Sequence, residues 1–274
     1  MQKQLVSVSW LKENINNPNL ILLDATIPVV TENLQTPAHT IITGARFFDL
    51  KNTFSDADAS LPNTIPSPKQ FEAGCRNLGI NSNSVIIIYD AKGIYSSPRA
   101  WFLFKTMGHD AVAVLDGGLP EWIKHGESCT TAYQKNYPLG NFKADFDPSR
   151  LKNAEAILES ITTANCTVID ARSEERFLGK VPEPRAHLKR GHIPKSINLP
   201  FTKLLRDGKF LPRKELKATF ENLSLGNDPL VFSCGSGITA CILLFATDLV
   251  LMNQIFLYDG SWSEWGEGDT YPIE

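Results

Sequence analysis

Excess charge of either sign is missing from this chain. Lysine and arginine number 27 against 30 aspartates and glutamates, a net charge of -3 over 274 residues. No general attraction to nucleic acid or to an acidic membrane follows. The most basic cluster, His187-Leu188-Lys189-Arg190-Gly191-His192, is too short for a nucleic-acid patch. Cysteine is scarce: Cys75, Cys129, Cys166, Cys234 and Cys241 are odd in number and widely spaced, with no Cys-x-x-Cys pair. That argues against a disulfide framework and against a zinc site. Long apolar runs are also lacking. The longest, around Ala240 to Met252, is interrupted by Thr247 and Asp248 and falls short of a membrane span. The opening MQKQLVSVSWLKEN has neither the apolar core of a secretory signal nor the arginines of a mitochondrial presequence. A reducing, cytoplasmic location is the expectation. With 42% hydrophobic and 21% charged residues, the composition is that of a soluble globular protein, long enough for one large domain or two ordinary ones.

The most informative stretch is Asp228 to Ala246, DPLVFSCGSGITACILLFA. Leu230-Val231-Phe232 reads as a buried strand, Ser233-Cys234 closes it, a small Gly/Ser loop follows, and an apolar helical segment runs from Ile238 onward. A helix start offers unpaired N–H groups and partial positive charge, a setting that favours a thiolate. Gly235 and Gly237 allow the loop to curl so that its N–H groups converge on the sulfur. From this segment alone, a buried cysteine that merely ends a strand is the competing reading. Phosphatase chemistry is disfavoured, because Ala240 stands where a cysteine phosphatase needs an arginine, and phosphoryl transfer then lacks its charge stabiliser.

The chain repeats itself. Asp116-Gly117-Gly118-Leu119-Pro120-Glu121-Trp122 matches Asp259-Gly260-Ser261-Trp262-Ser263-Glu264-Trp265, and Leu22-Leu23-Asp24-Ala25 matches Val168-Ile169-Asp170-Ala171. The run Val85 to Asp90 matches Leu230 to Cys234. Similar order at similar offsets means a duplicated domain. The joint is placed at residues 136–148, rich in turn formers. Strands are expected at Ile21–Asp24, Ala45–Phe48, Val85–Tyr89 and Ala111–Leu115, and again at Thr167–Asp170, Ser196–Leu199, Leu230–Ser233 and Gln254–Tyr258. Helices are expected at Ser9–Asn16, Ser67–Leu78, Ser97–Met107 and Leu119–His125. Apolar strands joined by helices imply an α/β fold, each half a mostly parallel sheet with helices on both faces. Ligands of such sheets bind beyond the carboxyl ends of the strands, where Cys234 falls.

The CGSGITA loop resembles the active-site loop of the rhodanese superfamily, and its Cys-Gly-Ser-Gly form is similar to that of the 3-mercaptopyruvate sulfurtransferases. Thiosulfate-using members usually carry basic residues directly after the cysteine; this chain does not. The resemblance implies two rhodanese-like domains: residues 1–135 without a reactive cysteine, a linker at 136–148, and a catalytic domain at 149–274. It also implies that Cys234 is the nucleophile and that Ser236 assists it. Backbone N–H groups from Gly235, Gly237, Ile238 and Thr239 would then cradle the transferred sulfur. Two arginines that grip substrate in those enzymes correspond to Arg176, in EERFLG, and Arg185, in PEPR. Guanidinium suits the task because its paired donors match a carboxylate, and Pro182 and Pro184 limit the freedom of the loop that carries Arg185. Asp170, Arg172, His192, Trp262 and Trp265 read as framework, and Cys75 and Cys129 as inert.

In some of those enzymes an aspartate and a histidine after a Phe-Phe-Asp segment are held to activate the loop serine. Phe47-Phe48-Asp49 is present, but Leu50 to Pro62 contains no histidine, and Ala57 follows Asp56. A Ser–His–Asp relay through Ser236 is therefore not expected. The implied reaction is two-step sulfur transfer from a small-molecule donor, 3-mercaptopyruvate, to a thiol acceptor such as thioredoxin or to cyanide. No metal or organic cofactor, nucleic acid or membrane is called for. Thiosulfate as donor is the near alternative; a non-catalytic rhodanese-type binding module and a sulfur relay charged by another enzyme are the others.

Overall fold

A computed structural model of the protein describes residues 3–27 and 40–274. The chain forms two compact units. The first gathers residues up to Asp58 with Ile65–Asp147 and Asp207–Lys209; the second gathers Ala59–Thr64, Pro148–Arg206 and Phe210–Glu274. Among the described residues, no helix is long and apolar enough to cross a membrane.

In the first unit the elements are β1 (Leu5–Val6), α1 (Val8–Asn14), β2 (Leu20–Asp24), β3 (Ile41–Ile42), β4 (Arg46–Phe47), α2 (Pro68–Asn77), β5 (Val85–Tyr89), α3 (Ser97–Thr106), β6 (Val112–Leu115), α4 (Gly118–Lys124) and β7 (Cys129–Thr130). The main sheet has the order β1-β6-β5-β2-β4, every pairing parallel. Ile86, Ile87 and Ile88 of the central β5 are all fully buried, as a strand covered on both faces requires. Period-two alternation divides that burial between two layers. Ile87 and Tyr89 pack with Val8 and Leu11 of α1 and Leu119 and Trp122 of α4. On the other side α3 packs against β5 and β6, and its Phe104 joins a ring cluster with Phe48, Phe71 and Phe142. Cys75 of α2 is buried there, and its burial, then the Glu72 carboxylate, push its thiol well above the ordinary value. Burial and a raised thiol pKa both disfavour the reactive thiolate there.

The second unit repeats the plan. Its elements are β8 (Leu151–Lys152), α5 (Ala154–Thr163), β9 (Thr167–Asp170), α6 (Glu174–Phe177), β10 (Ile197–Asn198), β11 (Leu205–Arg206), β12 (Lys209–Phe210, whose first residue is counted with the first unit), α7 (Arg213–Glu221), β13 (Leu230–Ser233), α8 (Ala240–Val250), β14 (Ile255–Tyr258) and α9 (Ser261–Trp265). The sheet order is β10-β9-β13-β14-β8, again parallel throughout. Read from the opposite edge, it is the first unit's order with each strand replaced by its counterpart. Val231 faces α5 and α9 in a core with Ala154, Ile157 and Trp262. On the other face lies α8, apolar almost all round and buried over nearly its whole length, which is what an apolar helix without a polar face demands.

The expected strands and helices are present, with ends that agree to within a residue or two. Shortening halves the strands at the sheet edges. The runs at 45–48 and 196–199 shorten to β4 and β10, which pair with a single neighbour over two residues each. Helix α8 begins at Ala240, two residues later than the apolar run suggests. Edge strands β1 and β8 and the antiparallel pair β3–β7 went unread, because two residues carry no periodicity.

The strand end of β5 holds an unusual anion. Asp90 is buried, and its carboxylate accepts hydrogen bonds from the amides of Lys92 (2.9 Å), Tyr95 (2.9 Å), Ser96 (3.0 Å) and Ser97 (2.9 Å), and from the Ser97 hydroxyl (2.7 Å). Four main-chain donors depend on this one side chain, and buried donors left unmet are costly. Asp90→Ala is expected to lower unfolding stability by about 3 kcal/mol, measured by urea denaturation, with Asp90→Asn less affected. An unchanged transition for Asp90→Ala would show that the loop amides find other partners.

Candidate active site

Cys234 follows β13 at its carboxyl end, the place that Asp90 takes after β5 in the first unit. Its main chain is pinned by α9. The Cys234 N–H donates to Ser261 Oγ (3.1 Å), and its carbonyl accepts from the Trp262 N–H (2.9 Å). The Gly235 carbonyl accepts from the Ser263 N–H (3.0 Å) and hydroxyl (2.6 Å). Ser261 Oγ donates in turn to the Tyr258 carbonyl (2.9 Å). Ser261 has a left-handed backbone, φ 50°, and so does its counterpart Gly118, φ 50°. The strain of a non-glycine residue there is of order 1 kcal/mol. The serine brings a hydroxyl that fastens the cysteine, which glycine cannot supply.

With these carbonyls engaged by α9, the amides of Gly235, Ser236, Ile238 and Thr239 meet no protein acceptor among the described residues. Gly237 turns the loop at φ 76°, a value glycine adopts without strain. The first turn of α8 is tight: Cys241 and Ile242 donate to the carbonyls three residues back, Ile238 and Thr239. This is the kind of strand-to-helix loop that closes on the Asp90 carboxylate in the first unit. In the second unit the position of the carboxylate is taken by a thiol, which offers those four amides no comparable acceptor.

Both predicted arginines come to this loop. A Cβ added at Gly235 would lie 3.1 Å from Arg176 Nη2, so Gly235 is small because a guanidinium rests on it. The reason is contact rather than backbone freedom, which differs from the sequence reading. Arg185 is half-buried. Burial draws its guanidinium below the ordinary value, Cys234 opposes that, and Arg176 adds to it; the three side chains therefore share one electrostatic site. Among the described residues, the Arg185 guanidinium has no hydrogen-bond or ion-pair partner.

Arg176 is held by a residue that sequence reasoning treated only as part of a proline frame. Glu183 is buried, and its carboxylate accepts from Arg176 Nε (3.1 Å) and Nη2 (2.5 Å) and from Arg172 Nη1 (3.0 Å). Arg172 also binds Asp170 (2.7 Å) and the Gly191 carbonyl (2.9 Å), and lies 4.2 Å over the Trp262 ring. Asp170, Arg172 and Trp262 are thus framework, as expected. His192 stacks on Phe177 at 3.8 Å with Nδ1 on the Phe177 carbonyl (2.9 Å), also framework. Two carboxylates, Asp170 and Glu183, face three guanidiniums, Arg172, Arg176 and Arg185. One positive charge is left over, beside the thiol. Cys234 itself is only 2% exposed, more enclosed than a thiol at an open loop mouth. Exclusion of water strengthens the pull between a sulfur anion and these cations.

Two further residues escaped the sequence reading. Asn63 lies one position beyond the segment searched for a histidine; its Nδ2 donates to Ser236 Oγ (2.8 Å) and to the Ser236 carbonyl (3.3 Å). Ser261 differs from Gly118 in the internal repeat, and that difference was a legible signal. Asp49, Asp56 and Asp58 form local turns: Asp49 accepts from the amides of Lys51 and Asn52 (both 3.1 Å), and Asp56 from Asp58 (3.0 Å).

The Rhodanese-like domain model matches residues 7–125 and 153–267. The chain belongs to the rhodanese family. Among its rhodanese relatives, the 3-mercaptopyruvate sulfurtransferase of Escherichia coli (strain K12) is 35% identical over 274 residues, spanning 98% of this chain and 97% of that protein. A thiosulfate sulfurtransferase of Rattus norvegicus is 34% identical over 276 residues, spanning 97% and 92%. The crystal structure of SseA from Escherichia coli, a 3-mercaptopyruvate enzyme, superposes with a TM-score of 0.85 at 33% identity, covering 96% of this chain and all of that one. The fold expected from sequence, two rhodanese domains with parallel sheets, is the one observed.

The Glu183 clamp has a measurable worth. Removing one partner of a buried ion cluster strands the others. Glu183→Ala is expected to lower stability by about 3–5 kcal/mol, read by chemical denaturation. A change within the range of a surface substitution would mean that Arg172 and Arg176 are held by other groups.

Proposed function

We propose that this rhodanese-family protein is a 3-mercaptopyruvate sulfurtransferase working through a persulfide on Cys234. Sulfurtransferase activity is the property common to its whole-length relatives. The choice of donor is carried by one observation: the cations of the site stand on the Arg176–Arg185 segment, while no basic residue follows Cys234 in its own loop. A thiosulfate dianion needs positive charge around the sulfur itself. Mercaptopyruvate bears its charge on a carboxylate several atoms away.

In the proposed reaction Arg185, with Arg176 beside it, receives the substrate carboxylate and keto oxygen through paired N–H donors. The Cys234 thiolate attacks the substrate sulfur. A Cys234 S–S bond forms, the substrate C–S bond breaks, and its electron pair moves onto the carbonyl as an enolate. The Ser236 hydroxyl and the loop amides stabilise that charge as an oxyanion site does. A proton returns to the carbon, pyruvate departs, and the outer sulfur stays on Cys234 with the amides of Gly235, Gly237, Ile238 and Thr239 around it. A thiolate acceptor then attacks the outer sulfur, forms its own persulfide, and restores the Cys234 thiolate. The covalent intermediate implies ping-pong kinetics. A small dithiol protein of the thioredoxin type suits the acceptor role in a reducing cytoplasm; cyanide serves in the test tube.

The deciding experiment is the intact mass of the protein after exposure to 3-mercaptopyruvate. One added sulfur atom is expected, absent in Cys234→Ser. Arg185→Lys is expected to raise KM for mercaptopyruvate at least about tenfold, because a point charge replaces a bidentate fork. A clear preference for thiosulfate in the cyanide assay would reverse the donor assignment, and no sulfur uptake from either donor would remove the enzyme reading.

A further inference from the structure

We propose that Asn63 is a positioning residue that holds the Ser236 hydroxyl as a fixed hydrogen-bond donor toward the reacting substrate; this rests on the sulfur-transfer reading above. Asn63 is 8% exposed and lies in the second compact unit with Ser236. Its backbone is left-handed, φ 62°, a conformation in which asparagine is enriched. Nδ2 sits 2.8 Å from Ser236 Oγ and 3.3 Å from the Ser236 carbonyl. A carbonyl oxygen only accepts, so the atom that faces it must be the amide nitrogen, and chemistry fixes the orientation of the amide.

That orientation decides what Ser236 can do. The Asn63 N–H group occupies a lone pair of Ser236 Oγ, and the serine's own proton must point elsewhere. Ser236 is half-buried in the loop two residues after Cys234. A carboxamide has no proton to exchange at neutral pH, and its NH2 cannot take one from serine. Ser236 is therefore a neutral donor, aimed but not activated. Its contribution to sulfur transfer is electrostatic, by stabilising the enolate oxygen, and not that of a base. The charged groups at the loop are Cys234, Arg176 and Arg185; a charge introduced at position 63 acts on them as well, so the two variants, which introduce charges of opposite sign, are compared with each other and with wild type.

The test reverses the polarity at this position with residues that tolerate a left-handed backbone, aspartate and histidine. The full-length protein is assayed with 3-mercaptopyruvate and cyanide from about pH 5 to about pH 9, each variant as a ratio to wild type. In Asn63→Asp the carboxylate accepts the serine proton and turns the donor away. Its kcat is expected to fall about 10²-fold near neutral pH, the size of one lost oxyanion donor, with KM within about threefold. The loss should shrink as pH falls toward the carboxyl range, where the protonated acid donates again. Asn63→His should approach wild type below about pH 6.5, where the imidazolium donates, and decline above it. A pH-independent loss in both variants would assign Asn63 a structural role only, and wild-type kcat in Asn63→Asp would overturn the proposal. If wild type takes up no sulfur from mercaptopyruvate, the functional reading itself falls. That outcome is distinct, because it appears before any variant is made.

Discussion

A single buried carboxylate governs the geometry of the second unit's site. Glu183 joins Arg172, a cation sealed in the interior, to Arg176, a cation that leans over the cysteine loop. Without it, Arg172 would keep Asp170 but lose its second anion, and Arg176 would be a flexible side chain on a short exposed helix. The expense of burying charge is met because each oxygen of Glu183 has a guanidinium donor. The result is a rigid platform, and Arg185 is then the one cation of the group that has no protein partner among the described residues. A fixed pair and an uncommitted neighbour is the arrangement a substrate anion requires.

The strands and helices were readable because most are long enough to show apolar runs, and because the repeat supplied two independent views of each. What was lost were elements of two residues, held by pairing with a neighbour rather than by any local preference, and the ranges of α5, α6, α7 and α9 in the second unit. In the site, Cys234, Arg176 and Arg185 were readable from residue type and motif. Glu183 was not, since an acidic residue between prolines on a polar segment looks like surface until the chain folds over it. Asn63 was hidden for another reason. It is remote in sequence from Ser236, and an amide at that point carries no motif. Gly235 was identified for a reason the structure replaces: the space it leaves is filled by Arg176.

The two units are a natural experiment in one chain. They share sheet order, a left-handed residue at Gly118 and at Ser261, and a carbonyl-to-amide bond from the strand end to the following short helix: Asp90 to Leu119 at 3.0 Å, and Cys234 to Trp262 at 2.9 Å. Against that common background the residues at the strand end and at the start of the short helix differ: Asp90 corresponds to Cys234, and Gly118 to Ser261. Aspartate becomes cysteine at the strand end, and glycine becomes serine where the hydroxyl can hold the cysteine's amide. Both lie at positions the fold already fixes, so new chemistry needed no new architecture.

The carboxylate of Asp90 acts as a built-in counterion for its own loop, so that copy is complete as synthesised. The copy around Cys234 has no such side chain, and the amides of Gly235, Ser236, Ile238 and Thr239 meet no protein acceptor among the described residues. An anion bound within that loop would add to the stability of the second unit and leave the first unchanged.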